Sequence, residues 1–303
     1  MSAIGVLIMA YGTPRSPEGI GPYYTRIRHG RPPTDELLAD LTRRYSAIGG
    51  LSPLNEVTDA QVDGITTALN ELDPGTYLVA FGSKYEAPFI EDAAVTLREA
   101  GCTTVVCVAL APHSASMSTG QYMSRAIAAL GEGVEASIIE SWWEEPGFLN
   151  LVAGRVREAL AQIPTERHAT TRVIFSAHSL PEKILALGDN YPDQLLESAR
   201  LVAELADVPS WMIAWQSAGR TADPWIGPDI LEVLRTLPAE GITDIVSCPI
   251  GFVADHLEVL FDIDVEALTT ATECGMNLVR TRSLNADPEL CRVLAHRVTT
   301  TAS

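Results

Sequence analysis

The 303-residue sequence has little positive charge, few cysteines and no long apolar run. Its 21 Lys and Arg stand against 39 Asp and Glu, a formal net charge of −18. This balance argues against a protein that binds duplex nucleic acid or an anionic membrane surface. It does not exclude a small anionic ligand, because a few arginines in one cleft can outweigh a distant acidic surface.

Other absences narrow the function further. The five cysteines are scattered without a Cys-x-x-Cys pair, so neither a disulfide framework nor a zinc knuckle is expected. The longest apolar run, residues 105–112, is far shorter than the roughly 20 residues that span a bilayer. Residues 1–15 lack a secretory signal, and we expect a cytoplasmic protein. The phosphate-binding loop, the dinucleotide-binding glycine motif, the nucleophile elbow and the zinc-protease motif are also missing from the sequence.

Short apolar segments typical of strands alternate with longer amphipathic segments typical of helices. The predicted strands cover residues 5–10, 77–82, 105–111, 134–141, 172–176, 211–215, 244–250 and 276–281. Apolar runs separated by helices favour parallel sheets with helices on both faces. The first four strands resemble the last four, so the sequence predicts an α/β protein of two similar domains. Each domain has a four-stranded parallel sheet, and ligands are expected in the cleft between them.

The predicted domains cover residues 1–165 and 166–285, and a C-terminal helix over 286–303 joins the first domain. A segment at about 13–55 has no counterpart in the second half. It is rich in Pro and Gly and holds about a quarter of all Lys and Arg, including Arg28 and Arg44. A long, locally basic insertion near a cleft indicates a functional segment.

His178 follows a predicted strand directly, within the sequence Ser-Ala-His-Ser-Leu-Pro. Imidazole accepts protons near neutral pH and binds borderline divalent metals. The alternative is a polar loop residue hydrogen-bonded to Ser176 or Ser179.

Four carboxylates recur in residues 251–266, namely Asp255, Glu258, Asp262 and Glu266. Their spacing of three, four and four places them on one face of a helix. Such a row of oxygen ligands leading to an imidazole describes a path for a divalent cation and for protons. Two alternatives stay open: Asp255 and Glu258 also form a capping-box pattern, and the other carboxylates also suit a solvated face.

Several motifs together resemble the ferrochelatases, most closely the coproporphyrin-type enzymes of Gram-positive bacteria and particularly their actinobacterial branch. The matching segments cover residues 9–14, 23–30, 44–54, 176–183, 191–195, 215–217, 224–229 and 251–258. The resemblance implies an enzyme that inserts Fe(II) into a porphyrin between two Rossmann-like domains. It implies that His178, Glu258 and Tyr11 are catalytic and that His178 and Glu258 contact the metal. It also implies that Tyr11 binds the porphyrin and faces the ring centre from the other side.

The resemblance also assigns the remaining site residues. Asp262 and Glu266 match a metal or proton path, and the contacts to the ring and its propionates match Arg28, Arg44, Tyr45, Ser52 and Tyr122. The expected reaction yields iron coproporphyrin III in haem biosynthesis. The alternatives are protoporphyrin IX as substrate, another metal and tetrapyrrole, or a non-catalytic protein that closes on an anionic small molecule.

Fe(II) is expected as a substrate, and no cofactor is expected to be required. Only Cys274 and Cys291 lie near the end of the sequence, whereas an iron–sulfur cluster normally needs four thiolates, so no cluster is predicted. We expect a monomer without nucleic-acid or membrane partners that hands its product transiently to the next enzyme of the haem pathway.

Overall fold

The computed structural model describes residues 3–219 and 221–302. The strands are β1 (Ile4–Ala10), β2 (Tyr77–Ser83), β3 (Thr104–Ala109), β4 (Glu135–Ile139), β5 (Thr171–His178), β6 (Trp211–Gln216), β7 (Asp244–Cys248) and β8 (Asn277–Arg280). The α-helices are α1 (Ile20–Ile27), α2 (Asp35–Ala47), α3 (Leu54–Leu72), α4 (Ile90–Glu99), α5 (Thr119–Leu130), α6 (Pro146–Leu160), α7 (Lys183–Ala186), α8 (Tyr191–Leu205), α9 (Ile230–Thr236), α10 (Leu268–Glu273) and α11 (Pro288–Ala302). A π-helix covers Val259–Ala267.

The strands form two parallel sheets of four, ordered β2-β1-β3-β4 and β6-β5-β7-β8. The central strands are fully buried, as in the run Val6–Met9 of β1, because helices cover both faces of each sheet. The second sheet repeats the order of the first. The predicted fold, two similar Rossmann-like units with four-stranded parallel sheets, is confirmed.

The carboxyl ends of equivalent strands bring the polar residues together. β1 ends one residue before Tyr11, and β5 ends on His178 itself, two residues beyond its predicted end. β7 ends at Cys248, and the chain then turns back over β5, where the Gly251 amide donates to the Ser176 carbonyl at 3.1 Å. This contact fixes the start of the acidic segment beside His178.

The acidic segment differs from the helix predicted over 251–266. Residues 251–256 are irregular, helical geometry begins at Leu257, and the π-helix follows. The π-helix, which is rare and frequent at functional sites, bonds each amide to the carbonyl five residues earlier. The carboxylates of this segment are therefore not arranged as on an α-helix.

The basic insertion, residues 13–55, contacts the half of the molecule that contains the second sheet. Helix α2 lies against the π-helix, and the guanidinium groups of Arg43 and Arg44 lie 5.6 and 5.1 Å from the Phe261 ring centre. A cation over an aromatic ring is attracted by its electron-rich face. The insertion thus closes one side of the cleft.

Helix α11 packs back on the helices of the first sheet. Asp287 just before it pairs with Arg155 of α6 at 2.7 Å, and Gln61 of α3 donates to the Asn285 carbonyl at 2.9 Å. The predicted domain boundaries themselves stay predictions. Within residues 3–219 and 221–302, no helix is long and apolar enough to cross a membrane.

Gly251 gives the first testable prediction. A Cβ added there would lie 2.4 Å from the Ala177 Cβ and 2.9 Å from its Cα. Backbone cannot move away cheaply, so we expect Gly251→Ala to lower the free energy of unfolding by about 1–3 kcal/mol. Urea unfolding measures this change.

Gly154, in the middle of α6, is the matched control, because a Cβ there meets no atom within 4 Å. Gly154→Ala should raise the free energy of unfolding by about 0.5–1 kcal/mol. Equal effects of the two substitutions would contradict the close contact at Gly251.

Candidate active site

His178 is held so that one ring nitrogen faces the cleft. Its Nδ1–H donates to the carbonyl of Ser179, and its own carbonyl accepts from the Tyr191 hydroxyl at 3.1 Å. The Nε2 atom lies 3.6 Å from Oε1 of Glu258. The backbone contacts therefore fix the ring, and Nε2 is left for chemistry.

Glu258 stands between two imidazoles. Its Oε2 lies 3.6 Å from Nε2 of His256, whose Nδ1–H donates to the Ala254 carbonyl at 2.9 Å. The Gln216 side chain donates to the Glu258 carbonyl at 3.3 Å and anchors the backbone. His256 was not predicted as a site residue, although its position two residues before Glu258 in the acidic segment was the available signal.

Charge pairing outweighs burial at both groups. Burial alone would lower the pKa of His178, but the carboxylate of Glu258 and the Ser179 carbonyl raise it. Burial would raise the pKa of Glu258, but the two histidines lower it. Near neutral pH the pair is therefore an imidazolium and a carboxylate. Their side chains are 32% and 34% exposed, so both are reachable from the cleft.

Asp262 is the next carboxylate along the segment. Its side chain is 9% exposed, accepts from the Ser217 hydroxyl, and lies 3.7 Å from Nη1 of Arg44. Burial and the charge of Glu258 raise the pKa of Asp262 to about 7, against the opposing effect of Ser217 and Arg44. Ser217 holds its hydroxyl there from a left-handed backbone with φ 61°. Neither Ser217 nor this geometry was predicted.

Glu266 lies further along the π-helix, half-buried, and its charge also acts on Asp262. Asp255 lies outside this row, which corrects the prediction of four carboxylates on one helical face. Its carboxylate instead accepts from Arg280 at 3.1 Å, from Ser283 at 2.8 Å and from Asn285 at 2.9 Å. A capping box would need the Glu258 carboxylate on the Asp255 amide, but that amide donates to the Asn285 side chain at 2.8 Å and the Glu258 carboxylate lies between two histidines, so the capping-box alternative is wrong.

Tyr11 belongs to the opposite wall. It is 39% exposed, its ring meets the Tyr85 ring edge-on at 4.9 Å, and burial with the charge of Glu258 raises its pKa. Beneath this wall the ammonium of Lys84 lies over the rings of Tyr85 and Tyr122 at 4.9 and 5.4 Å. Burial and nearby Arg125 lower the pKa of Lys84 to about 8. Lys84, another residue that was not predicted, is thus a buried cation among aromatic rings.

Four further residues were predicted to contact the ring, namely Arg28, Tyr45, Ser52 and Tyr122. The Tyr45 hydroxyl bonds the Thr13 hydroxyl at 3.1 Å, and the Ser52 hydroxyl accepts from the Leu54 amide at 3.2 Å. The charge of Glu258 acts on both Tyr45 and Tyr122. The guanidinium of Arg28 lies 5.8 Å from the Tyr24 ring centre, and its buried Nε has no hydrogen-bond partner in the part of the chain that the structure describes.

The site suits a transient metal contact. Among residues 3–219 and 221–302, no three His, Cys, Asp or Glu side chains form a group that could hold a metal ion. His178 and Glu258 present one nitrogen and two oxygen atoms to the cleft, with Nε2 and Oε1 3.6 Å apart. The cleft thus presents an imidazolium–carboxylate pair, an aromatic wall and the arginine-bearing insertion to a ligand.

Asp262 gives a prediction about stability. Since its pKa is raised from 3.8 to about 7 in the folded protein, folding is favoured while it is protonated, and this contribution is lost as pH rises through 7. Between pH 5 and 8 we expect the wild type to lose on the order of 2–3 kcal/mol of unfolding free energy relative to Asp262→Asn, with most of the loss complete by pH 7. Urea unfolding of both proteins at several pH values measures the difference, and parallel pH curves would contradict it.

The sequence is similar to known proteins over nearly its whole length. The sequence matches the family model "Ferrochelatase" over residues 3–302. It is 46% identical over 296 residues to the coproporphyrin III ferrochelatase of Halalkalibacterium halodurans, covering 96% of this chain and 95% of the relative. It is 45% identical to that of Bacillus subtilis, covering 96% of each chain, and 44% identical to a ferrochelatase of Herpetosiphon aurantiacus, covering 97% of each.

Solved structures support the fold alone. SirB from Bacillus subtilis with Fe3+ aligns with a TM-score of 0.60 at 13% identity, covering 99% of this chain and 96% of SirB. CbiX, described as the terminal enzyme for siroheme biosynthesis in denitrifying bacteria, aligns with a TM-score of 0.57 at 14% identity, covering 99% and 100%. Membership of an actinobacterial branch stays a prediction. The family match over nearly the whole sequence and the identities above 40% show that this chain belongs to the ferrochelatase family.

Proposed function

We propose that this protein inserts Fe(II) into coproporphyrin III and so forms iron coproporphyrin III in haem biosynthesis. The observation that carries the proposal is the His178–Glu258 pair, with Nε2 and Oε1 3.6 Å apart in the cleft beside the arginine-bearing insertion. Relatives at about 45% identity named coproporphyrin III ferrochelatases support the choice of substrate.

Metal insertion exchanges one Fe2+ for two pyrrole N–H protons, so the site must bind a cation and accept protons. The Glu258 carboxylate carries negative charge beside the imidazolium of His178. A dication that enters between them disfavours the imidazolium, because like charges repel. Once Nε2 has released its proton to solvent, His178 is a ligand for the ion or the base for one pyrrole proton. Asp262 and Glu266 extend the path away from Glu258 for the iron or for the released protons.

The ring must bend before the metal can reach its nitrogens. Strain of about 1–5 kcal/mol can be supplied by contacts remote from the reacting atoms. Tyr11 offers an aromatic surface for the ring, and the buried Tyr45 and Tyr122 lie near it. Arg28, Arg44 and Ser52 offer polar contacts for propionates. The flat product fits a site shaped for a bent ring less well, which favours release.

The arginines differ in their freedom to bind a propionate. Arg44 already contacts Asp40 at 3.1 Å and Asp262 at 3.7 Å. The Nε of Arg28 has no partner among the described residues, and a buried N–H favours a carboxylate acceptor. We therefore assign Arg28 the larger part in propionate binding.

The remaining assignments also belong to this proposal. Fe(II) is a substrate, no resident cofactor is required, and no iron–sulfur cluster is formed. The protein works as a monomer in the cytoplasm and hands its product to the next enzyme.

The catalytic pair gives a direct test. We expect His178→Ala and Glu258→Gln to lower the rate of iron insertion by on the order of 10²–10⁴-fold, because each removes a metal contact or proton acceptor. Porphyrin binding should persist, since the propionates are held elsewhere. Anaerobic absorbance assays with Fe(II) measure the rate, and fluorescence quenching measures ring binding.

His168→Ala is the control for this test, because His168 precedes the start of β5, at the other end of that strand from His178, and bonds the carbonyls of Leu160 and Ile163. It should keep the wild-type rate. A His178→Ala protein with the wild-type rate would remove that residue from the mechanism.

The substrate assignment has its own test. Coproporphyrin III has four propionates and protoporphyrin IX has two, and a charge-assisted hydrogen bond contributes about 1.5–3 kcal/mol. We expect a higher kcat/KM for coproporphyrin III, and we expect Arg28→Ala to reduce that preference roughly tenfold or more. Arg44→Ala should reduce it less.

Arg31→Ala, an exposed arginine of the same insertion, is the control and should leave the preference unchanged. A higher kcat/KM for protoporphyrin IX would show that protoporphyrin IX, and not coproporphyrin III, is the preferred substrate. Turnover only with another metal and tetrapyrrole would show that the protein catalyses a different metal insertion.

A further inference from the structure

Arg280, the last residue of β8, binds the acidic segment on both sides of Glu258. Its Nε and Nη2 donate to the two carboxylate oxygens of Asp264 at 2.6 and 3.0 Å, and its Nη1 donates to Asp255 at 3.1 Å. Asp255 precedes Glu258 by three residues and Asp264 follows it by six. One guanidinium thus connects the irregular entry of the segment to its π-helix.

The Arg280 side chain is itself fixed from β8 onward. Nη1 also donates to the Thr281 carbonyl at 3.2 Å and to the Ser283 hydroxyl at 3.3 Å. Asn285 completes the entry side, because its side-chain carbonyl accepts from the Asp255 amide at 2.8 Å while its amide nitrogen donates to the Asp255 carboxylate. The side chains of Arg280 and Asp255 are 16% and 24% exposed and that of Asp264 is 37% exposed, so the pair with Asp255 is the better shielded from water.

None of these contacts touches the cleft groups themselves. His178, His256, Ser217 and Arg44 hold the side chains of Glu258 and Asp262 on the cleft side, whereas Arg280 holds Asp255 and Asp264. A long π-helix is an uncommon backbone conformation. Arg280, at the end of β8, also fixes its position through Asp264.

We propose that Arg280 is a positioning residue for iron insertion, which fixes Glu258 opposite Nε2 of His178 by holding both ends of the segment that carries it. This inference rests on the proposed function. Displacing a reacting group by about 1 Å can cost about 100-fold in rate, so the position of the backbone around Glu258 matters. Lys cannot reproduce the contact, because one ammonium lacks the planar fork that binds Asp264 with two bonds and reaches Asp255.

The experiment compares Arg280→Gln, Arg280→Lys and Asp264→Asn with a matched control, Arg172→Gln. Arg172 lies in β5 of the same sheet and is 20% exposed, with Nε donating to Ser210 at 2.8 Å and Nη2 to Glu240 at 3.1 Å. Each protein is assayed for kcat and KM with Fe(II) and coproporphyrin III, for thermal unfolding, and for amide hydrogen exchange.

We expect Arg280→Gln to lower kcat about 10–100-fold per folded molecule, with the KM for the porphyrin within about twofold of wild type. Arg280→Lys and Asp264→Asn should fall between Arg280→Gln and wild type, and faster hydrogen exchange should be confined to residues 255–267. Arg172→Gln should lower the unfolding temperature while leaving kcat unchanged. If Arg280→Gln does not fold, the other two variants decide by the same criterion.

A wild-type kcat in all folded Arg280 and Asp264 variants would overturn the proposal, as would losses matching those of Arg172→Gln. Failure of the proposed function is a separate result, since it appears as the absence of iron insertion in the wild-type protein.

Discussion

The 3.6 Å distance between His178 and Glu258 in the cleft depends on where β5 and β7, neighbours in the second sheet, end. His178 ends β5, and Glu258 lies ten residues after the end of β7, on a segment that folds back over β5 through Gly251. Opposite charges stabilise each other there, and each reverses the effect of burial on the pKa of its partner. The insertion, the aromatic wall and the π-helix are all arranged around this pair.

Much of the fold follows from local sequence patterns. Buried parallel strands are nearly continuous apolar runs, so segments such as Val105–Val108 are recognisable without knowledge of their neighbours. The internal duplication then indicates two sheets of the same order, and the position of His178 directly after such a run places it at a carboxyl edge. All eight predicted strands are present, with ends that shift by a few residues.

The site was less predictable because its contacts join residues distant in sequence. A spacing of three and four suits an α-helical row, a capping box or a solvated face equally well, and the choice depends on Arg280, 25 residues after Asp255. The sequence around Asp255 does not indicate that Arg280 is its partner. The π-helix likewise depends on contacts with residues distant in sequence. Ser217 and Lys84 escaped prediction for the same reason, whereas His256 carried a local signal, its position two residues before Glu258. Tyr11 and Arg28 were named through the resemblance to a family.

The backbone at Ser217 imposes an unusual rule on which amino acids the site can accept at that position. Its φ of 61° favours Gly or Asn, while its bond to Asp262 needs a short side chain with a donor. Thr, the closest chemical substitute, keeps the hydroxyl but is β-branched, and such residues are the poorest fit to left-handed backbone. Asn tolerates that backbone and carries an amide donor, whereas Gly tolerates it and carries none. Tolerance to substitution at position 217 therefore follows backbone preference before chemical similarity, and Asn is a better replacement than Thr.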